Sequence, residues 1–117
     1  MSKKPDNLIN TVIDYKNRQV SLYVEERNHI LTAHDEAIGD QFHCVYATVE
    51  QPDSVYQSSQ DPKREVFFSA NSGYKYLHYR TVKVIVEYKE ASAGKIVTAF
   101  PVPGEGGGIS GKLYPDE

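Results

Sequence analysis

The sequence predicts an α+β domain in which an N-terminal hairpin and two helices pack on a four-stranded antiparallel β-sheet. Three patterns predict this class: β-forming residues around a polar turn, a helical stretch with a seven-residue apolar repeat, and a second half with alternating apolar residues. Short connections between the later strands favour antiparallel neighbours. We expect one domain over residues 11–102, after a short N-terminal segment 1–10.

The hairpin is predicted over residues 11–23, with a polar turn at 16–18. Val12 and Ile13 before the turn, and Val20 and Leu22 after it, are residues that favour β-strands. From Val24 onward the composition changes and favours helix instead. Two extended segments joined by a short polar turn are typical of an antiparallel hairpin.

Two helices are predicted between Val24 and Val49, with a break near His34. The break is expected because Thr32 and Asp35 are both good N-cap residues, which favour a new helix start. The second helix carries an apolar face at the spacing i, i+3, i+4, i+7 and ends before a proline, which disfavours helical geometry in the preceding residue. That face consists of Phe42, Val45, Tyr46 and Val49.

Four strands are predicted after the helices, over 54–58, 65–69, 76–88 and 95–102. In the longest strand Val82, Val84 and Val86 alternate with Lys83 and Ile85, so the valines share one face. Beyond residue 102 the chain is rich in glycine. We therefore expect residues 103–117 to form a flexible tail.

Composition narrows the class of protein. The chain has 117 residues, a net charge of −3 and one cysteine, Cys44, which excludes an internal disulfide and a multi-cysteine zinc site. There is no apolar run of about 18 residues and no apolar stretch behind the N-terminal lysines, so we expect a soluble cytoplasmic protein without a membrane partner. Six basic residues against two acidic ones between Lys63 and Lys89 permit a basic cleft despite the acidic total.

Metal, cofactor and nucleophile motifs are missing from the sequence. No two of the four histidines have the i, i+4 spacing of a helical zinc motif, and the glycine cluster lacks the Lys-Ser/Thr of a phosphate loop. Cys44 lies beside the packing face of the second helix, where a buried structural thiol is expected. We expect no metal and no cofactor.

With those motifs missing, metal-free general acid–base catalysis is the remaining type of chemistry. The candidate catalytic residues are His29, His34, Lys83 and Thr98. On a straight helix the two histidines would point about 140° apart, so only a helix break would turn both toward one cleft. Each candidate also has a structural interpretation, and for His29 it is an exposed position opposite the apolar stripe. His34 suits the boundary of the apolar stripe, Lys83 a solvent-facing strand position, and Thr98 an ordinary β-strand position.

The order of motifs resembles that of a known family. Residues 27–36, RNHILTAHDE, resemble the "HI…HPE" helix signature of phage- and toxin-associated domains in the barnase–EndoU–colicin–RelE-like (BECR) superfamily of metal-independent ribonucleases. Three later segments resemble further family landmarks in the same order: QPDSVYQS at 51–58, YLHYRTVKVIV at 76–86 and KIVTAF at 95–100. The similarity spans residues 24–102. One departure is Asp35, where the family often has proline.

The resemblance implies RNA cleavage by the ribose 2′-hydroxyl. One of His29 and His34 would act as general base, and the other, or Tyr79, as general acid. Lys83 with Arg64 or Arg80 would stabilise the phosphorane, and Thr98 would donate to a phosphate oxygen. RNA and an inhibitor or immunity protein are the implied partners.

Two other functions stay open. A catalytically inactive phage or mobile-element protein of the same fold would act as a protein-interaction module, and the acidic total favours it. A metal-dependent hydrolase using the histidines is a weaker third hypothesis.

Overall fold

The computed structural model describes residues 7–38, 41–72 and 81–115, together with their side chains except those of 33–38. The elements follow in the order β1 (Leu8–Ile13), β2 (Gln19–Tyr23), α1 (Val24–Ile38), α2 (Phe42–Glu50), β3 (Ser54–Ser58), β4 (Arg64–Ser69), β5 (Thr81–Glu90), β6 (Ala93–Val102) and β7 (Ile109–Tyr114). The predicted α+β class and the predicted N-terminal hairpin are confirmed.

The sheet has seven strands in the order β1-β2-β6-β5-β4-β3-β7, so the predicted four-stranded antiparallel sheet is wrong in strand number and in type. The meander β3-β4-β5-β6 is antiparallel as expected. The hairpin joins it through a parallel pairing in which Val20 lies opposite Gly94. Pairing satisfies backbone donors and acceptors that β2 and β6 would otherwise leave open at their edges.

The glycine-rich tail is the second correction. Ile109–Tyr114 forms β7, antiparallel to β3, so the prediction of a flexible tail over 103–117 is wrong for these residues. The strand ends in apolar residues that reach the core, since the Tyr114 ring packs 5.0 Å from the ring of Tyr15. Pairing with the edge of β3 and this aromatic contact determine the conformation of residues 109–114, and they outweigh the local glycine content.

The predicted break near His34 does not occur, because α1 runs continuously to Ile38. Favourable N-cap residues inside a helix are only a weak local preference, which tertiary packing overrides. The apolar face of α2 is confirmed: Val45 and Val49 are fully buried, and Cys44 is buried beside them. Burial raises the pKa of the Cys44 thiol, consistent with the expected structural role.

The main hydrophobic core lies on one face of the sheet, which we call the core face. Val84 and Phe67 lie opposite each other there, and α2 packs over β5, β4 and β1. Helix α1 packs chiefly against β6 and contributes Ile30 to the same core. Side chains alternate along each strand, so Arg64, Lys83 and their register partners point to the opposite face, which we call the second face.

A buried polar network joins the hairpin turn to the core face. Asp14, whose side chain is fully buried, accepts from Arg18 Nε at 2.8 Å and from the Tyr88 hydroxyl at 2.5 Å. Arg18 also contacts Glu65 at 2.9 Å and lies 3.8 Å from the centre of the Tyr88 ring. The Tyr15 hydroxyl donates to Glu65. These contacts link β1–β2 to β4 and β5 across long stretches of sequence.

Candidate functional site

A row of charged residues crosses the second face where β4 begins. Arg64 lies opposite Glu87, and Glu87 lies opposite Lys95, so the three side chains project from neighbouring strands on one face. Arg64 Nε donates to Glu87 Oε1 at 3.0 Å. Lys95 Nζ donates to Glu26 Oε2 of α1 at 3.2 Å. Cation and carboxylate alternate along this row.

The first turns of α1 complete a cleft over this row. Glu26 and His29 are three residues apart and therefore lie on one side of the helix. The cleft has a volume of about 360 Å³ and is lined by Glu25, Glu26, His29, Arg64, Glu87, Lys95 and Val97. We call it the His29 cleft. Four of its residues, Glu25, Glu26, Glu87 and Lys95, also line a neighbouring cleft of about 740 Å³.

The His29 cleft carries mixed charge. Arg64 and Lys95 contribute two positive charges, against three carboxylates among the lining residues. The basic residues between Lys63 and Lys89 permitted a basic cleft. Of these, Lys83 does not line the His29 cleft, and Lys75 and Arg80 fall outside the described residues. Each of the two cations is paired with a neighbouring carboxylate. The charge pattern therefore suits a ligand that contacts the cations one at a time.

Two of the predicted site residues, His29 and Arg64, come together in this cleft. Lys83 does not join them. It lies on the same face of β5, but four residues from Glu87, which corresponds to ~13 Å along a strand. Lys83 Nζ donates to the carbonyl oxygens of Gly106 at 3.1 Å and Gly107 at 2.8 Å. The residue is only 8% exposed, and this burial lowers the pKa of the Lys83 amine.

Thr98 lies opposite Ile85, between the two levels of β5 that hold Lys83 and Glu87. Its hydroxyl oxygen is buried and has no hydrogen-bond partner among the described residues. The β5–β6 register is irregular here, since Ile85 pairs with Thr98 and Val86 with Ile96. The skipped residue, Val97, lines the cleft, and Thr98 does not.

The remaining predicted residues cannot be assigned a position in the site. The side chain of His34 and the residues Tyr79 and Arg80 lie outside the described part of the chain. The unbroken backbone of α1 removes the helix break that was expected to turn His29 and His34 toward one cleft. Their predicted roles stay predictions.

Sequence reasoning missed five of the seven lining residues, and three of these, Glu26, Glu87 and Lys95, form the ion pairs of the cleft. Glu87 was recognisable as a same-face neighbour of Lys83, since the two are four residues apart on one strand. Lys95 was not recognisable, because its position opposite Glu87 depends on the irregular β5–β6 register. Glu26 was not recognisable either, because its position in the cleft depends on how α1 packs over the sheet.

Comparison with protein-family models, with curated proteins and with solved structures finds no match to this chain. The similarity to the BECR superfamily therefore rests on the order of the sequence motifs alone. Within residues 7–38, 41–72 and 81–115, no helix has the length and apolarity needed to cross a membrane. In the same ranges no three or more His, Cys, Asp or Glu side chains are grouped to hold a metal ion.

Proposed function

We propose that this chain is a metal-independent endoribonuclease-type domain that cleaves RNA through attack of the ribose 2′-hydroxyl on the adjacent phosphate. One observation supports the proposal most directly: His29, Glu87, Arg64 and Lys95 line a single cleft on the sheet. These are two proton-transfer groups and two cations in one place. The motif order described above points to the same class of reaction.

The reaction asks little of the protein besides proton transfer and charge stabilisation, because the nucleophile belongs to the substrate. A base in the cleft accepts the 2′-hydroxyl proton, O2′ attacks phosphorus, and the bond from phosphorus to O5′ breaks. An acid then donates a proton to the departing O5′, which leaves a 2′,3′-cyclic phosphate. His29 and Glu87 are the proposed pair of proton-transfer groups.

Arg64 and Lys95 are the proposed cations for the developing phosphorane charge. In this role Lys95 replaces Lys83, whose ammonium is engaged by two backbone carbonyls. The Arg64 and Lys95 side chains are 37% and 40% exposed, so a phosphate entering from solvent can reach both. Glu87 and Glu26 orient these cations before substrate binds. The site therefore does not have to rearrange its charged side chains to stabilise the transition state.

The test is cleavage of a labelled single-stranded RNA in EDTA, with a DNA oligonucleotide of the same sequence as a control that lacks the 2′-hydroxyl. We expect RNA to be cut and DNA to be left intact. His29→Ala should lower the cleavage rate by about 10²–10⁴-fold, the usual contribution of one acid–base group. His43→Ala, at an exposed histidine on α2, is the matched control. Intact RNA with the wild-type protein, or equal rates for both variants, would contradict the proposal.

A second candidate function, that of a catalytically inactive protein-interaction module, is supported by the edge strand β1. Its sequence, Leu8–Ile13, contains no charged residue, and Leu8, Ile9 and Ile13 are all at least 36% exposed. Edge strands usually carry charges that block pairing with another chain. A partner protein that adds a strand along β1 would use this surface. In that case one protein partner co-purifies with the wild type, Ile9→Lys releases it, and RNA is not cleaved.

A further inference from the structure

The connection between β6 and β7 crosses the second face of the sheet. We call residues 103–108 the strap. The Glu105 carboxylate accepts hydrogen bonds from Ser54 Oγ at 2.5 Å and from the Tyr56 hydroxyl at 2.8 Å. Further along, the carbonyls of Gly106 and Gly107 accept from Lys83 Nζ. The strap therefore supplies a carboxylate and two carbonyls to the sheet beneath it.

Three residues beneath the strap, Ser54, Tyr56 and Lys83, present hydrogen-bond donors to it. Ser54 and Lys83 lie in one row across the face, because Ser54 pairs with Phe68 and Phe68 pairs with Lys83. Ser54 and Lys83 are both buried, and Tyr56 is half-buried. No carboxylate among the described residues lies within 4.0 Å of Lys83 Nζ. This surface is built to receive an acceptor-rich group, and here the strap is that group.

The backbone of the strap is shaped to meet Lys83. Gly107 and Gly108 have φ values of +77° and +69°, in the left-handed region that favours glycine. A Cβ atom at Gly107 would lie 3.1 Å from Lys83 Nζ. A side chain at Gly107 would therefore crowd the ammonium, whereas a Cβ atom at Gly108 would meet only Gln60, at an ordinary contact distance of 3.9 Å. Gly107 is therefore the glycine of the strap that leaves room for Lys83.

We propose that Ser54, Tyr56 and Lys83 form a subsite for a backbone phosphate of bound RNA, which the strap fills in this structure with Glu105 and two carbonyls. The inference rests on the proposed function. The subsite and the His29 cleft lie on the same face, ~13 Å apart along β5. A single strand that follows β5 would reach both. The rings of Phe68, which is buried here, and Phe100 lie 5.9 and 5.5 Å from Lys83 Nζ and would border the phosphate once the strap lifts.

The strap and β7 must leave the sheet together for this subsite to open. Between β6 and β7 the strap crosses four strand spacings, or ~19 Å. The seven Cα–Cα steps from Val102 to Ile109 can span at most ~25 Å. It cannot lift far while β7 stays paired. However, β7 is the outermost strand, and its register with β3 is interrupted twice. Local opening of such an edge element costs less than global unfolding.

The test measures binding of a 2′-O-methyl RNA, which lacks the attacking hydroxyl, so cleavage does not enter the result. Glu105→Ala removes the internal competitor and should tighten binding by at least about tenfold, the size of one charge-assisted hydrogen bond, since the carboxylate accepts two. Glu50→Ala removes the same charge from an exposed position on α2 and controls for net charge. Adding Lys83→Met to Glu105→Ala should abolish the gain.

Hydrogen exchange provides a second measurement that does not depend on the folding of the Lys83 variant. Saturating 2′-O-methyl RNA should speed amide exchange in β7 of the wild-type protein and leave β5 protected. Equal binding by the Glu105 and Glu50 variants, or unchanged exchange in β7 with RNA bound, would overturn the subsite. RNA cleavage with no Glu105 effect refutes this inference alone, whereas a Glu105 effect without cleavage refutes only the proposed function.

Discussion

Arg64 and Glu87 lie directly opposite each other on β4 and β5, and the guanidinium Nε donates to the carboxylate at 3.0 Å. The contact links two central strands on the face that carries the His29 cleft. Both residues therefore hold fixed positions before any ligand arrives. A charged pair on rigid strands is a better platform for chemistry than the same pair on loops.

Replacing Glu87 by Gln tests its proposed role as a proton-transfer group. The amide keeps the shape and can still face Arg64, but it cannot accept a proton. We expect RNA cleavage to fall at least about 100-fold, with the thermal unfolding midpoint nearly unchanged. Glu90→Gln, at an exposed position near the end of the same strand, is the control. A Glu87 variant that cleaves RNA at the wild-type rate would exclude this role.

The buried network around Arg18 should dominate the stability of the hairpin. Arg18→Met would leave the Asp14 and Glu65 carboxylates without their cation in a site where Asp14 is fully buried. We expect the free energy of unfolding to fall by about 3–5 kcal/mol, measured by urea denaturation. Arg27→Met, at an exposed position on α1, should change it by less than about 0.5 kcal/mol. Similar losses in both variants would show that the network contributes little.

Stability should decline in alkaline solution because of the same network. Burial, and then hydrogen bonding to Asp14, raise the pKa of Tyr88 well above its ordinary value, so the folded state keeps the phenol protonated. The unfolded chain releases this proton near pH 10. The stabilisation is therefore fully present below about pH 10 and is lost as pH rises from there toward the folded-state pKa.

Urea denaturation at several pH values between about 8 and 12 measures this decline. Tyr88→Phe has no phenol to ionise, so its stability curve should be flatter above pH 10 although it starts lower. Parallel curves for the two proteins would contradict the assignment. Absorbance of tyrosinate gives an independent readout, since the Tyr88 phenol should ionise only as the protein unfolds.

Gly94 is the glycine whose replacement should be most damaging among those in the strands. A Cβ atom there would lie 2.6 Å from Tyr88 Cδ1 and 2.9 Å from the Glu87 carbonyl oxygen, and the carbonyl cannot move aside easily. We expect Gly94→Ala to lower the free energy of unfolding by about 1–3 kcal/mol. Gly111→Ala, which meets no atom within 4 Å, is the matched control in β7. An equal effect at both positions would show that the crowding is relieved at little cost.

Local patterns were sufficient to predict much of the fold. Alternation along β5 correctly separated the buried valines from the second face, and the spacing of Val45 and Val49 identified the packed side of α2. The candidate site was predicted only in part: His29 and Arg64 share a cleft, but Lys83 lies under the strap and Thr98 does not line the cleft. Those outcomes depend on strand register and on a crossing connection, which leave no local signal.

The amino-acid sequence by itself determined the α+β class, the order of most elements and the exclusion of an internal disulfide, because these follow from periodicity and composition. Tertiary structure decided the parallel joining of β2 to β6, the addition of β7 and the partners of Lys83 and Glu87. Open strand edges pair with the edge that the folded chain brings near, and buried charged groups pair with the donors or acceptors that the fold places beside them. Both depend on residues distant in sequence.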